Sequence, residues 1–196
     1  MSFFDVLLGR TKPAKSKIEK LFAMSTAQVT LSVNLGLSPT GKAAICFRPV
    51  TSSFFESAES ELKGILEIGA KETGTRVGMA KDSYGFQWIL LQDDDFEDLV
   101  ATLHVISQTL GEHGFSDQLL AAVFQFTDQQ KPVYWIYNYK RGRFYPFVPT
   151  GDKNRDNAYE LRLRAVMEKE LPIEPELERW YPLWDIPLNQ GSDHRP

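Results

Sequence analysis

An α+β domain, an antiparallel sheet of paired strands covered by helices, is what this sequence predicts, and three observations carry that reading. Residues 132–149 form an aromatic, β-branched run broken by Lys140-Arg141-Gly142-Arg143, the pattern of two half-buried strands around a turn. Residues 96–110 carry Phe96, Leu99, Val100, Leu103, Ile106 and Leu110 at helical spacing. The joins between paired strands are short, and a parallel crossover needs a dozen residues or more.

Residues 1–10 open the chain as a short amphipathic segment with Phe3, Phe4, Val6, Leu7 and Leu8, and Lys12-Pro13 separates it from the rest of the chain. Ile18, Leu21 and Phe22 suggest a short helix. Val29, Leu31, Val33 and Leu35 alternate with polar residues, which predicts a half-buried strand over 28–35. A turn at 36–41 then leads into a partner strand at 42–50. Ser53 and Glu56 have the capping-box spacing ahead of Phe55, Ala58, Leu62, Ile65 and Leu66, which predicts a helix ending near Gly69. Strands at 76–80 and 85–92 form a pair. Asp93-Asp94-Asp95 precedes the amphipathic helix, which ends near Gly111 or Gly114. A strand at 119–126 and a turn at 128–131 lead into the aromatic hairpin. A last long helix at 154–169 takes Asp156 as its cap.

The expected organisation is an amphipathic N-terminal segment (1–12), a single α+β domain (13–170), a docked, acidic, Pro-rich C-terminal tail (171–188) and a disordered end (189–196). A chain of 196 residues with 42% hydrophobic side chains can bury a core of its own. The single cysteine, Cys46, excludes an intrachain disulfide framework and fits a reducing compartment. It sits in Ala-Ala-Ile-Cys-Phe, the setting of a small buried hydrophobe in a strand. Residues 1–20 show none of the features of a secretory leader, and the longest apolar runs are too short to span a bilayer. Cytoplasmic residence, with a peripheral contact to the membrane, is the expectation. Net charge is −4, which argues against general affinity for nucleic acid. Yet Arg10, Lys12, Lys15, Lys17 and Lys20 against Asp5 and Glu19 leave +3 in the first twenty residues and −7 in the remainder.

Candidate chemistry is thin. Gly36, Gly41 and Lys42 match phosphate-loop spacing, but position 43 is Ala where Ser or Thr is needed, and a strand pattern succeeds it where a helix should. The acidic residues Asp93, Asp94, Asp95, Glu97 and Asp98 suit a helix N-terminus, and no calcium-loop glycine accompanies them. His104, His113 and His194 have no zinc-ligand spacing. The basic turn 140–143 between aromatic strands reads as a solvated hairpin end, not as a nucleic-acid patch. No catalytic residue, cofactor or metal is therefore assigned.

What remains is greasy surface. Phe3, Phe4, Leu7 and Leu8, with lysines behind them, suit a protein partner or, weakly, an anionic membrane surface. Trp180, Tyr181 and Trp184 in the tail are further interaction candidates. Two alternatives stand beside this. One is an enzyme with a scattered site around Asp93–Asp98 and His104. The other is a module holding a small apolar ligand between sheet and helices.

Four stretches carry a family resemblance. They are Met-Ser-Phe-Phe-Asp-Val-Leu-Leu-Gly-Arg-Thr-Lys-Pro at 1–13, Asp-Asp-Asp-Phe-Glu-Asp-Leu-Val at 93–100, Tyr-Lys-Arg-Gly-Arg-Phe-Tyr-Pro-Phe at 139–147, and the tail from Leu171 to Asp185. Together they resemble the PspAB family, the phage-shock-protein-A-associated proteins, over residues 1 to about 188. The resemblance implies a role near envelope-stress proteins, with phage-shock protein A or a membrane protease network as partners, and it carries over no catalytic residue. The order of sheet and helices also resembles secretion-chaperone-type domains, an analogy that bears on fold alone. The expected function is that of a non-enzymatic adaptor or regulator acting by protein–protein contact.

Overall fold

The computed structural model describes residues 17–48, 74–129 and 131–189. The expected segment 1–12, the helix expected near residues 53–66 and the end 190–196 lie outside them.

The fold is α+β, built on an antiparallel sheet. Its six strands are β1 (Ser38–Phe47), β2 (Arg76–Lys81), β3 (Gln87–Gln92), β4 (Leu119–Asp128), β5 (Lys131–Asn138) and β6 (Arg143–Phe147), in the order β2-β3-β1-β4-β5-β6. Every neighbouring pair is antiparallel. A small ribbon of β7 (Pro149–Gly151) and β8 (Asn154–Arg155) comes next. The helices among the described residues are α1 (Ala23–Leu35), preceded by a 3₁₀ turn (Lys17–Phe22), α2 (Phe96–Glu112) and α3 (Asn157–Met167).

The strand expected over 28–35 is a helix instead, part of α1. Period-2 alternation of Val29, Leu31, Val33 and Leu35 hides a second pattern. Met24, Ala27 and Leu31 are fully buried at the i, i+3, i+7 spacing of a helix, while Val33 is 77% exposed. Leu31 belongs to both patterns, so the strand reading had one correct core residue. Gly36 is not the first residue of a turn between strands. It ends α1 in the left-handed conformation (φ +67°), with its N–H on the Ser32 carbonyl and that of Leu37 on the Leu31 carbonyl. β1 consequently pairs with β3 and β4, not with residues 28–35. The helix and strand assignments predict different energetics. Leu31→Ala is expected to cost about 2–3 kcal/mol and Val33→Ala less than about 0.5 kcal/mol in urea unfolding, whereas one strand face would make the two losses similar.

The sheet's two faces have different covers. Residues two apart on a strand share a face. Phe124 and Phe126 on β4 meet Phe96 of α2 at ring distances of 6.0 and 5.4 Å, which defines the helix side. Phe147, whose cross-strand neighbour Tyr134 opposes Gln125, points the other way. There it meets Trp184 of the tail edge-on at 5.2 Å, while Tyr145 stacks on Trp180 at 6.2 Å. Helices thus cover one side of the sheet and residues 171–189 run over the other.

Local signals explain the helix starts. The Asp95 side chain accepts from the Glu97 and Asp98 N–H groups at 2.8 and 3.3 Å, and the Asp156 side chain from Tyr159 at 2.9 Å. The aromatic hairpin turns at Gly142 (φ +65°), as the sequence pattern implies.

Candidate interaction groove

The C-terminal tail is held by the basic hairpin turn. Arg143 donates to the Ile173 carbonyl at 3.2 Å, and Arg141 lies 3.7 Å from the buried Glu174 carboxylate. Residues 172–174 run parallel to β6, with Phe144 N–H on the Pro172 carbonyl and Glu174 N–H on the Phe144 carbonyl. The Trp180 indole N–H donates to the Glu174 carbonyl at 2.9 Å. Tyr145 donates its hydroxyl to the Tyr181 carbonyl at 2.9 Å, and Lys42 its ammonium to the Leu188 carbonyl at 3.1 Å. Of the turn's cations, Arg143 thus reaches a tail carbonyl and Arg141 a tail carboxylate, while the Lys140 side chain stays exposed.

Alongside this strap the sheet's own side chains stay nearly solvent-free, with Trp88, Cys46, Tyr145 and Ala121 all buried. Beside residues 181–184 lies a groove of about 990 Å³. Its floor is small, with Cys46 on β1 and Ala121 on β4, and its walls are aromatic, with Trp88, Tyr145 and Trp184 among them. The register explains the shape. Cys46 pairs with both Trp88 and Ala121, so two small residues sit next to a large one on the same face. One wall is fixed by the β2–β3 turn. Asp82 accepts from the N–H groups of Tyr84 and Phe86 and from the Trp88 indole at 2.9–3.0 Å, and Ser83 donates to Asp185 of the tail. The rim carries both signs of charge, with Arg48 and Lys140 against Asp82 and Asp117. Aromatic side chains remain accessible there, Tyr84 at 57% and Tyr181 at 53% exposure.

Of the tail candidates from the sequence, Trp180 is only 5% exposed and serves to fasten the strap. Tyr181 and Trp184 stand at the groove. Phe3, Phe4, Leu7 and Leu8 lie outside the described residues. Cys46 is buried on the floor, and that burial, reinforced by the Asp82 charge, pushes its thiol up to about 12. A thiolate is the nucleophilic form, so this cysteine acts as apolar surface at neutral pH.

The acidic cluster and His104 do not converge on the groove. Besides Asp95 at its cap, Asp93 is buried and accepts from the Thr75 hydroxyl and from Asp95 N–H. His104 packs against the Phe22 ring at 4.3 Å on the helix side, and partial burial holds its pKa below the usual imidazole range. Among the described residues, no group of three His, Cys, Asp or Glu side chains is placed to hold a metal ion. Gly36 and Lys42 are separated by the helix end and the start of β1, so their spacing builds no phosphate cradle. Nor is any helix among the described residues long and apolar enough to cross a membrane. Sequence reasoning missed Trp88, Tyr84 and Ala121, because the first two belong to the β2–β3 hairpin and Ala121 to β4, more than thirty positions on, and only the register joins them.

The family model for PspA associated protein B matches residues 1–188. The chain belongs to that family. No curated protein matches it. The match spans the sheet, the helices and the strap as far as Leu188, so the tail that walls the groove is part of what the PspA-associated family has in common with this chain.

Proposed function

We propose that this family member is a non-enzymatic adaptor or regulator in the phage-shock response, cytoplasmic or peripheral to the membrane, acting by protein–protein contact at the groove. The observation that supports the reading is the open aromatic trough of about 990 Å³ with Tyr84 and Tyr181 exposed on its rim. Soluble proteins bury such rings where they can, and aromatic anchors in a pocket are the side chains that dominate interface energetics. The family description names PspA as the protein with which such chains associate, and PspA is the partner we propose. A second reading, a small apolar ligand, draws on the same trough, whose volume lies at the upper end of ordinary ligand sites. That ligand would sit between sheet and tail, not between sheet and helices as the sequence suggested.

The test is binding of purified PspA to the full chain and to a Tyr84→Ala/Tyr181→Ala variant. Both rings are exposed, so the variant keeps the core intact. Loss of two rim anchors should weaken binding by at least about tenfold, the effect of roughly 1.4 kcal/mol. Equal affinity for the two chains rejects the groove as the contact site. A rise in melting temperature with hydrophobic small molecules, without PspA binding, would favour the second reading.

A further inference from the structure

We propose that, until a partner arrives, the groove is filled by the chain's own apolar opening, residues 3–8. This rests on the groove being a docking surface and names its resident occupant. Three observations point to it.

The first is where the opening enters. Lys17, the first described residue, itself lines the groove. It is pinned there by three contacts. Its ammonium donates to the Lys140 carbonyl at 2.5 Å, its carbonyl accepts from the Tyr137 hydroxyl, and its side chain packs against Gly142, where an added Cβ would stand 3.3 Å away. Whatever precedes residue 17 therefore starts at the groove's rim.

The second is reach. Eight residues, and so nine Cα–Cα steps, separate Leu8 from Lys17. At about 3.3 Å per residue they span up to roughly 30 Å, against an edge of roughly 10 Å for a trough of this volume. A short tether of this kind supplies an effective concentration in the millimolar range. At about 1 mM, an apolar segment with an intrinsic Kd of roughly 0.2 mM would fill the site about five-sixths of the time and weaken a competitor about sixfold, and a micromolar partner would still displace it.

The third is chemistry. Phe3, Phe4, Val6, Leu7 and Leu8 are the apolar cluster of the first sixteen residues, and Arg10, Lys12 and Lys15 come after them. Rim charges of both signs neither attract nor repel such a tether strongly, so apolar contact selects the occupant.

The experiment uses a fluorescein-labelled peptide of residues 1–12, read by anisotropy against three full-length chains. They are the native chain, a Phe4→Asp/Leu7→Asp chain whose own opening can no longer dock, and that chain with Tyr84→Ala/Tyr181→Ala added. The peptide should bind the Phe4→Asp/Leu7→Asp chain at least about fivefold more tightly than the native one, and lose that binding when the rim tyrosines are removed. Equal binding to the first two chains, or none to either, overturns the proposal. Size-exclusion chromatography with light scattering covers occupation by a second copy: a native dimer that the Phe4→Asp/Leu7→Asp substitution dissolves would overturn docking within one chain. PspA binding that depends on the rim tyrosines while the peptide binds nowhere would sink this proposal alone. Peptide binding at the rim without any PspA binding would sink the partner and leave the occupant.

Discussion

Replacing Gly41 with alanine should cost about 3–5 kcal/mol, enough to consume much of the stability of an ordinary domain. Two penalties combine. Gly41 has φ +70°, a conformation in which an L side chain pays about 1–2 kcal/mol. An added Cβ would also stand 2.4 Å from the Asp93 carbonyl oxygen and 3.4 Å from its carbon. Both are backbone atoms, so no side chain can swing aside. The contact is close because the Asp93 N–H donates to the Gly41 carbonyl at 2.9 Å, where β1 bulges against β4 between Pro39 and Lys42. Asp93 cannot retreat cheaply either. Its buried carboxylate holds Thr75 and the Asp95 N–H, which set the start of α2. Gly36 provides the control, since it has a similar φ of +67° but no heavy atom within 4 Å of an added Cβ. Gly36→Ala should lose only the conformational part, about 1–2 kcal/mol. Urea unfolding of both variants separates strain from collision, and equal losses would show that the 2.4 Å approach relaxes freely.

Gly41 also shows what could be read from the sequence and what could not. The interrupted aromatic run at 132–149, the helix at 96–112 and the caps Asp95 and Asp156 were legible because each is a local pattern, in which the residues that define the element lie within a few positions of one another. α1 was misread because Leu31 satisfies two periods at once, and only the burial of Met24 and Ala27 decides between them. A left-handed glycine inside a strand has no local signature at all, since its need arises from Asp93, fifty-two positions away. The groove is the extreme case. Cys46, Trp88, Ala121, Tyr145 and Trp184 line one groove only because β1 lies between β3 and β4 and because the tail returns across the sheet. Composition hinted at the tail's anchors, but could not say which aromatic fastens and which stays available. Trp180 and Tyr181 are adjacent in sequence and opposite in fate, 5% against 53% exposed.

Arg155→Met is expected to cost about 3–5 kcal/mol at pH 8 and distinctly less at pH 5. Arg155 joins three parts of the molecule. Its Nε lies 2.9 and 2.8 Å from the two Glu160 oxygens and its Nη2 2.7 Å from one of them. Its Nη1 donates to the Trp180 carbonyl at 2.7 Å, and its guanidinium lies 5.1 Å from the Phe147 ring centroid. Glu160 is buried, and burial pushes its carboxyl above the ordinary value. Arg155 and the Val148 N–H offset that only in part. Removing the guanidinium leaves an unpaired buried carboxylate, the situation that makes breaking such pairs expensive. The sign of the pH dependence comes from the same carboxyl. A group that binds its proton more tightly in the folded chain than in the unfolded one favours folding as pH falls from the raised folded value towards the unfolded value near 4.5. Without Arg155 that window widens upwards, so the variant recovers part of its loss as Glu160 protonates. Unfolding of variant and parent at both pH values cancels the titration of every other group. Adding Glu160→Gln should restore most of the stability at pH 8, because a neutral amide leaves no charge to desolvate. Fluorine NMR of the fluorotryptophan-labelled chain, with the Trp180 signal assigned among the four tryptophans by Trp180→Phe, reports the strap separately, since the Trp180 carbonyl loses the Nη1 donor whatever the state of Glu160. A loss of equal size at pH 5 and pH 8 would mean that Arg155 acts by holding the tail, and that its pairing with the buried carboxylate contributes little.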